Sequence, residues 1–110
     1  ATKRFKAAKN KIVLMHIPPI VTDDPNIPEE YTAIQLEKYF KPLFNEIGVD
    51  IVISGHTHRH ILVEKGERDN NYPIITNDNE DVMLVRSDKD GIGIKIVNLK
   101  DNVVLDRVFK

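Results

Sequence analysis

The chain has 110 residues, 41% hydrophobic and 30% charged, with a formal net charge of −1 at pH 7. That composition suits a single globular domain over 1–110, or part of one, and excludes a disordered chain; the near-zero charge removes the electrostatic reason to expect nucleic acid as the main ligand. There is no cysteine, so disulfides and thiolate metal sites are excluded, and no apolar run approaches the ~20 residues a membrane span needs.

Residues 1–10, ATKRFKAAKN, read as the tail of a helix that starts earlier. KIVLMH (11–16) is a short, continuous, β-branched apolar run, the pattern of a strand covered on both faces. IPPIVTDDPNIP (17–28) holds four of the six prolines and is a loop. Within it, Asn26 followed by Glu29 resembles a capping box for the next helix. From Glu30 to Ile47, the residues Leu36, Phe40, Leu43, Phe44 and Ile47 recur at spacings of three and four, which is one face of a helix. Pro42 predicts a kink or a break in it, and Gly48 a C-terminal cap. VDIVIS (49–54) is a second buried strand, so the order strand, helix, strand predicts a βαβ unit with a parallel pair.

After Arg59 the texture changes. HILVEK, NYPIIT, DVMLVRS, GIGIKIVNL and NVVLDRVF are strand-like, with DKDG and KDN as hairpin signals. The second half is therefore expected to be antiparallel. SDKDGIG lacks the later carboxylates of a calcium loop and reads as a hairpin turn. TDDP (22–25) and NDNED (77–81) read as solvated acidic loops.

The chemistry gathers at the ends of the two buried strands. The first stops at His16; the second stops at Gly55, followed by His56, Thr57, His58, Arg59 and His60. Three of the chain's four histidines thus fall within five residues. In α/β sheets, ligands bind beyond the carboxyl ends of parallel strands. Adjacent parallel strands would bring His16, His56 and His58 to one edge, where imidazole suits a metal, and Gly55 would let the backbone turn sharply. A single histidine at a strand end is more often an ordinary surface residue. The paired occurrence, about 40 residues apart with a helix between, is the specific signal.

At this point the chain resembles a family. KIVLMHIPP and DIVISGHTHRH resemble the last two signature blocks of the calcineurin-like metallophosphoesterases. The resemblance implies the C-terminal half of a four-layer α/β-β/α sandwich, in which the βαβ unit is followed by antiparallel strands. It also implies metal-dependent hydrolysis of phosphate esters. His16 and His56 would bind one metal and His58 the other, in a site for two divalent or trivalent transition metal ions (Mn, Fe, Zn, Co or Ni). The family's Asp-x-His pair, bridging Asp and Gly-Asn-His are absent from these 110 residues, so the missing N-terminal half of the domain is the first expected partner, and the chain alone is expected to be inactive. Thr57 is expected to hydrogen-bond in the turn, Arg59 to lie at the surface or meet a substrate phosphate, and His60 to line the rim.

Two alternatives stand beside this reading. One is a non-catalytic scaffold that keeps the fold and binds protein partners. The other is a three-histidine zinc site with an open position. A homodimer is also expected, because half a sandwich would leave the strands at 11–16 and 49–54 with an uncovered apolar face.

Overall fold

The computed structural model describes residues 2–20 and 31–110. Residues 21–30, which include Asn26 and Glu29 of the expected capping box and most of the proline-rich loop, lie outside the described residues. In chain order the elements are α1 (Lys3–Ala7), β1 (Ile12–Met15), α2 (Tyr31–Ile47), β2 (Ile51–Ser54), β3 (Ile61–Val63), β4 (Ile74–Thr76), β5 (Val82–Asp88), β6 (Gly91–Val97) and β7 (Val103–Phe109).

The strands form two sheets, a mixed one in the order β1-β2-β4-β3 and an antiparallel one in the order β5-β6-β7. β1 and β2 are parallel, as the strand–helix–strand order predicts, with Met15 opposite Ser54 at their carboxyl ends. The expectation of a wholly antiparallel second half fails at β4. That strand pairs parallel with β2, Ser54 opposite Thr76, and antiparallel with β3, Ile61 opposite Thr76. β3 is thus the outer strand, and β4 takes the place beside β2. Its burial explains the choice: Ile74, Ile75 and Thr76 are all inaccessible, as suits a strand with neighbours on both edges and layers on both faces.

Strand alternation sorts the side chains between two cores. Val52, Val63 and Ile74 point to one face of the first sheet and meet Phe44, Val49, Tyr72 and Ile20. Ile51 and Ile75 point to the other and meet Ile92, Ile94, Ile96 and Phe109 of the second sheet. The layers are therefore α2, first sheet, second sheet: a mixed α/β fold. The alternation of GIGIKIV follows from it, since every second residue of β6 is an isoleucine aimed inward. The expectation of an uncovered face on the 49–54 strand is corrected: β2 is closed by a sheet from the same chain, and Ile51 and Val52 are fully buried.

The helices also depart from expectation in detail. Of the expected helix at 1–10 the structure has α1 at Lys3–Ala7, behind Thr2, whose hydroxyl accepts the Phe5 amide at 3.2 Å as an N-cap. α2 runs unbroken through Pro42, which leaves its carbonyl partner one turn earlier without a helical donor. Pro42 is exposed, so water can reach that carbonyl. Phe44 is the buried anchor of the predicted apolar face, with Phe40 and Ile47 packed beside it, whereas Leu43 is 43% exposed. Gly48 ends the helix at φ 75°, and the Val49 amide returns to the Phe44 carbonyl at 3.1 Å, as in a Schellman cap.

Both hairpin signals are realised. DKDG joins β5 to β6 and the Asn98–Asn102 turn joins β6 to β7. Gly91 has φ 125°, and a Cβ there would collide with the Phe109 carbonyl oxygen, so only glycine fits. Tyr72 is fully buried in the first core with its hydroxyl unpartnered. Burial, and to a lesser extent the Glu37 carboxylate, push that hydroxyl from 10.0 up to about 12.

Candidate functional site

The carboxyl ends of β1, β2 and β4 lie side by side. The parallel register carries His16 next to Gly55, and the Gly55 amide donates to the His16 carbonyl at 3.0 Å. One residue on, the two imidazoles meet. His56 Nδ1 lies 3.1 Å from His16 Nε2, and the rings are edge-to-face with centroids 4.8 Å apart. The N···N distance is that of an N–H···N hydrogen bond between one donor and one acceptor ring. It also suits two ligands of one ion: at metal–nitrogen distances of about 2.0–2.1 Å, nitrogens so spaced subtend roughly 95–100°, near the angle of neighbouring octahedral positions. Both histidines are exposed, so an ion and a substrate have access.

The turn that holds them is strained. His56 has φ 70° and His58 φ 57°, both in the left-handed region that a non-glycine residue enters at a cost of about 1–2 kcal/mol. The Thr57 amide donates to the Gly55 carbonyl at 2.8 Å, closing the turn. The role expected of Gly55 is corrected. Its φ is not in the left-handed region, and a Cβ there would meet nothing within 4 Å. The histidines themselves carry the unusual backbone, and strain of this kind concentrates where function over-determines geometry.

The other predicted residues are dispersed around this pair. His58 and Arg59 are exposed. Thr57 makes the expected turn contact, its hydroxyl donating to the Arg59 carbonyl at 3.4 Å. His60 is half-buried, and its Nδ1 is enclosed with no hydrogen-bond partner. Among the described residues, no three His, Cys, Asp or Glu side chains converge where an ion could be held. His16 and His56 are joined, and among the described residues no third such side chain stands with them.

Two features at this edge escape the sequence. Ser54 and Thr76, the last residues of β2 and β4, are buried with their hydroxyls 3.0 Å apart directly beneath the turn. Asn77, expected in a solvated acidic loop, is half-buried at the end of β4. Its amide donates to the Ser54 carbonyl at 2.9 Å and its side-chain amide to the Asp81 carbonyl at 3.0 Å, while Oδ1 is enclosed and unpartnered. The parallel pairing of β2 with β4 puts Asn77 here, and nothing local in NDNED signals that pairing.

A cleft of about 560 Å³ opens at the far end of the sheets, lined by Lys9, Lys65, Lys89 and Arg107 among others. Arg107 is bound to Glu64 at 2.8 Å and Lys9 to the Lys89 carbonyl. It is remote from the histidine pair.

No family model matches this chain, and no curated protein matches it. A solved structure does: "GAP50 the anchor in the inner membrane complex of Plasmodium" superposes with a TM-score of 0.69 at 20% identity over 96% of this chain. The chain spans 38% of that structure's length. At this identity the likeness is one of fold: these 110 residues fold as a part of that larger protein does.

Proposed function

We propose that this chain is the C-terminal half of a calcineurin-like metallophosphoesterase domain and contributes histidine ligands to a two-metal site for phosphate ester hydrolysis. The observation that carries the reading is the approach of His16 Nε2 to His56 Nδ1 within 3.1 Å at the carboxyl ends of adjacent parallel strands. The layer order α2, first sheet, second sheet supplies three layers of the implied four-layer sandwich. The exposed outer face of the second sheet, with Leu84 and Val103 more than half accessible, suits a fourth.

In this reading His16 and His56 bind one ion and His58 a second, which the strained turn presents separately. Bound metal ions would supply a hydroxide nucleophile and neutralise charge on the phosphoryl group. Arg59, exposed on the same turn, offers a fork of donors to a substrate phosphate. Residues outside these 110 supply the bridging carboxylate, so the chain alone binds metal weakly and does not turn over. The test is hydrolysis of an aryl phosphate, with added manganese, by the domain joined to its upstream residues. Activity that falls at least ~10²-fold in His56→Ala supports the reading, and activity indifferent to His16 and His56 refutes it.

A second reading has its own support. The superposable structure is that of an anchor protein, and among the described residues no third metal ligand joins the histidine pair. A scaffold that keeps the fold and binds protein partners would need neither metal nor turnover. It predicts no metal-dependent activity in the complete domain and no loss of partner binding on His16→Ala.

A further inference from the structure

Asn77 stands where both ends of the histidine turn come together. Its backbone amide donates at 2.9 Å to the carbonyl of Ser54, the last residue of β2 before the turn. Ile61 and Thr76 stand opposite each other at the end of the β3–β4 ladder. His60, which enters β3, and Asn77, which leaves β4, therefore flank the same ladder end. Strand alternation assigns both side chains to the face of Leu62 and Ile75, which packs on the second sheet.

Among the described residues, three enclosed side-chain atoms have no hydrogen-bond partner: His60 Nδ1, Asn77 Oδ1 and the Tyr72 hydroxyl. Tyr72 belongs to the first core, on the opposite face of the first sheet. The other two share one face and one ladder end, and they are complementary. The Asn77 side-chain NH2 is committed to the Asp81 carbonyl at 3.0 Å, which needs a donor, so the amide orientation is fixed and Oδ1 is the acceptor left over. An imidazole supplies the donor it needs in the tautomer that carries the proton on Nδ1. Two such atoms left buried and unpaired cost about 1–3 kcal/mol each. Both are shut off from solvent by this chain alone, so no covering segment or partner can satisfy them from outside.

The turn between Ser54 and His60 needs such a hold. His56 and His58 both carry left-handed backbone, and strain of this kind persists only where its surroundings over-determine it. We propose that the Nδ1–H of His60 donates to Asn77 Oδ1, so that Asn77 clasps the turn at both ends, Ser54 through its backbone and His60 through its side chain. A small rotation of the imidazole toward the amide completes the bond. The clasp fixes the placement of His56 and His58, which makes His60 and Asn77 positioning residues that act on the metal-binding histidines without touching the metal. That last consequence rests on the metal reading above; the clasp itself does not.

A long-range proton–nitrogen NMR spectrum of the isotopically labelled chain reads the tautomer. At about pH 8, where free imidazole is neutral, the His60 ring should carry its proton on Nδ1, and Asn77→Ala should abolish that preference. Cobalt absorption gives a second readout. His60→Leu and Asn77→Ala should each weaken cobalt binding about 10-fold with native circular dichroism. His60→Asn, whose side-chain NH2 takes the place of the Nδ1–H, should keep the wild-type affinity. A His60 proton on Nε2 would overturn the proposal, and that reading is made on the wild type, whatever the variants do. Equal losses in His60→Leu and His60→Asn would overturn it as well. The Nδ1–H tautomer, lost in Asn77→Ala, in a chain that binds no cobalt would uphold the clasp and count against the metal reading instead.

Discussion

His16 Nε2 lies 3.1 Å from His56 Nδ1 across 40 positions of sequence. The distance is a consequence of register. Met15 stands opposite Ser54, so the next residues of two parallel strands leave the sheet side by side. A one-residue slip of β1 against β2 would separate the imidazoles and turn Val13 and Met15 away from their core, so the packing of the first core and the geometry of the histidine pair enforce each other.

That coupling predicts unequal roles for the three histidines in the chain by itself. Titration with cobalt, followed by its visible absorption or by calorimetry, should detect weak binding. His16→Ala and His56→Ala should each weaken it at least ~10-fold, and His58→Ala should do less, because in the proposed two-metal site the other ligands of a second ion come from outside these 110 residues. Equal effects of all three would mean that His58 joins the pair.

The hydroxyls of Ser54 and Thr76 make one buried bond beneath the turn. Ser54→Ala should destabilise by about 1–2 kcal/mol, because it leaves the Thr76 hydroxyl buried without a partner. The double change Ser54→Ala with Thr76→Val should cost less than the sum of the single changes. Urea denaturation of the four proteins gives the coupling, and strict additivity would count against the bond.

Tyr72 sets a limit at high pH. Burial raises its folded pKa to about 12, above the ordinary phenol value of 10.0, so the folded state holds the proton more tightly than the unfolded chain. The stability it contributes is fully present below pH 10 and is lost as pH rises from 10 through 12, by at most about 3 kcal/mol. Because the hydroxyl has no partner, Tyr72→Phe should hold or raise stability at neutral pH and remove this part of the alkaline loss. Melting temperatures measured between pH 8 and pH 12 test both.

Gly91→Ala should be among the most damaging single changes. The residue must abandon φ 125° or push the β7 terminus away from the β5–β6 turn. A loss of about 2–4 kcal/mol is expected, against less than about 1 kcal/mol for Gly55→Ala, whose added methyl meets nothing. Similar losses at both would show that the turn after β2 depends on its glycine after all.

The sequence signals were uneven for a physical reason. β1, β2 and α2 are legible because burial writes a local pattern: apolar runs for strands covered on both faces, three-and-four spacing for a helix covered on one. The DKDG and KDN turns are legible because their backbone demands particular residues. Sheet order is not local. Nothing in NYPIIT says that it lies between β2 and β3, so the position of Asn77 beside the site stayed hidden. The second sheet's role as cover was present in the alternating Ile92, Ile94 and Ile96, a period-two signal of one buried face. His16 and His56 were readable from their strands. The left-handed backbone at His56 and His58 was not, since glycine at 55 is the residue that usually marks such a turn.

Phosphate ester hydrolysis at the histidine pair, as proposed above, is tested most directly by metal-dependent turnover of the domain with its upstream residues attached. Manganese-stimulated release of an aryl alcohol from its phosphate ester, reduced at least ~10²-fold by His16→Ala and by His56→Ala with folding intact, is the predicted result. Wild-type turnover in both variants, or no turnover under any transition metal, would contradict it.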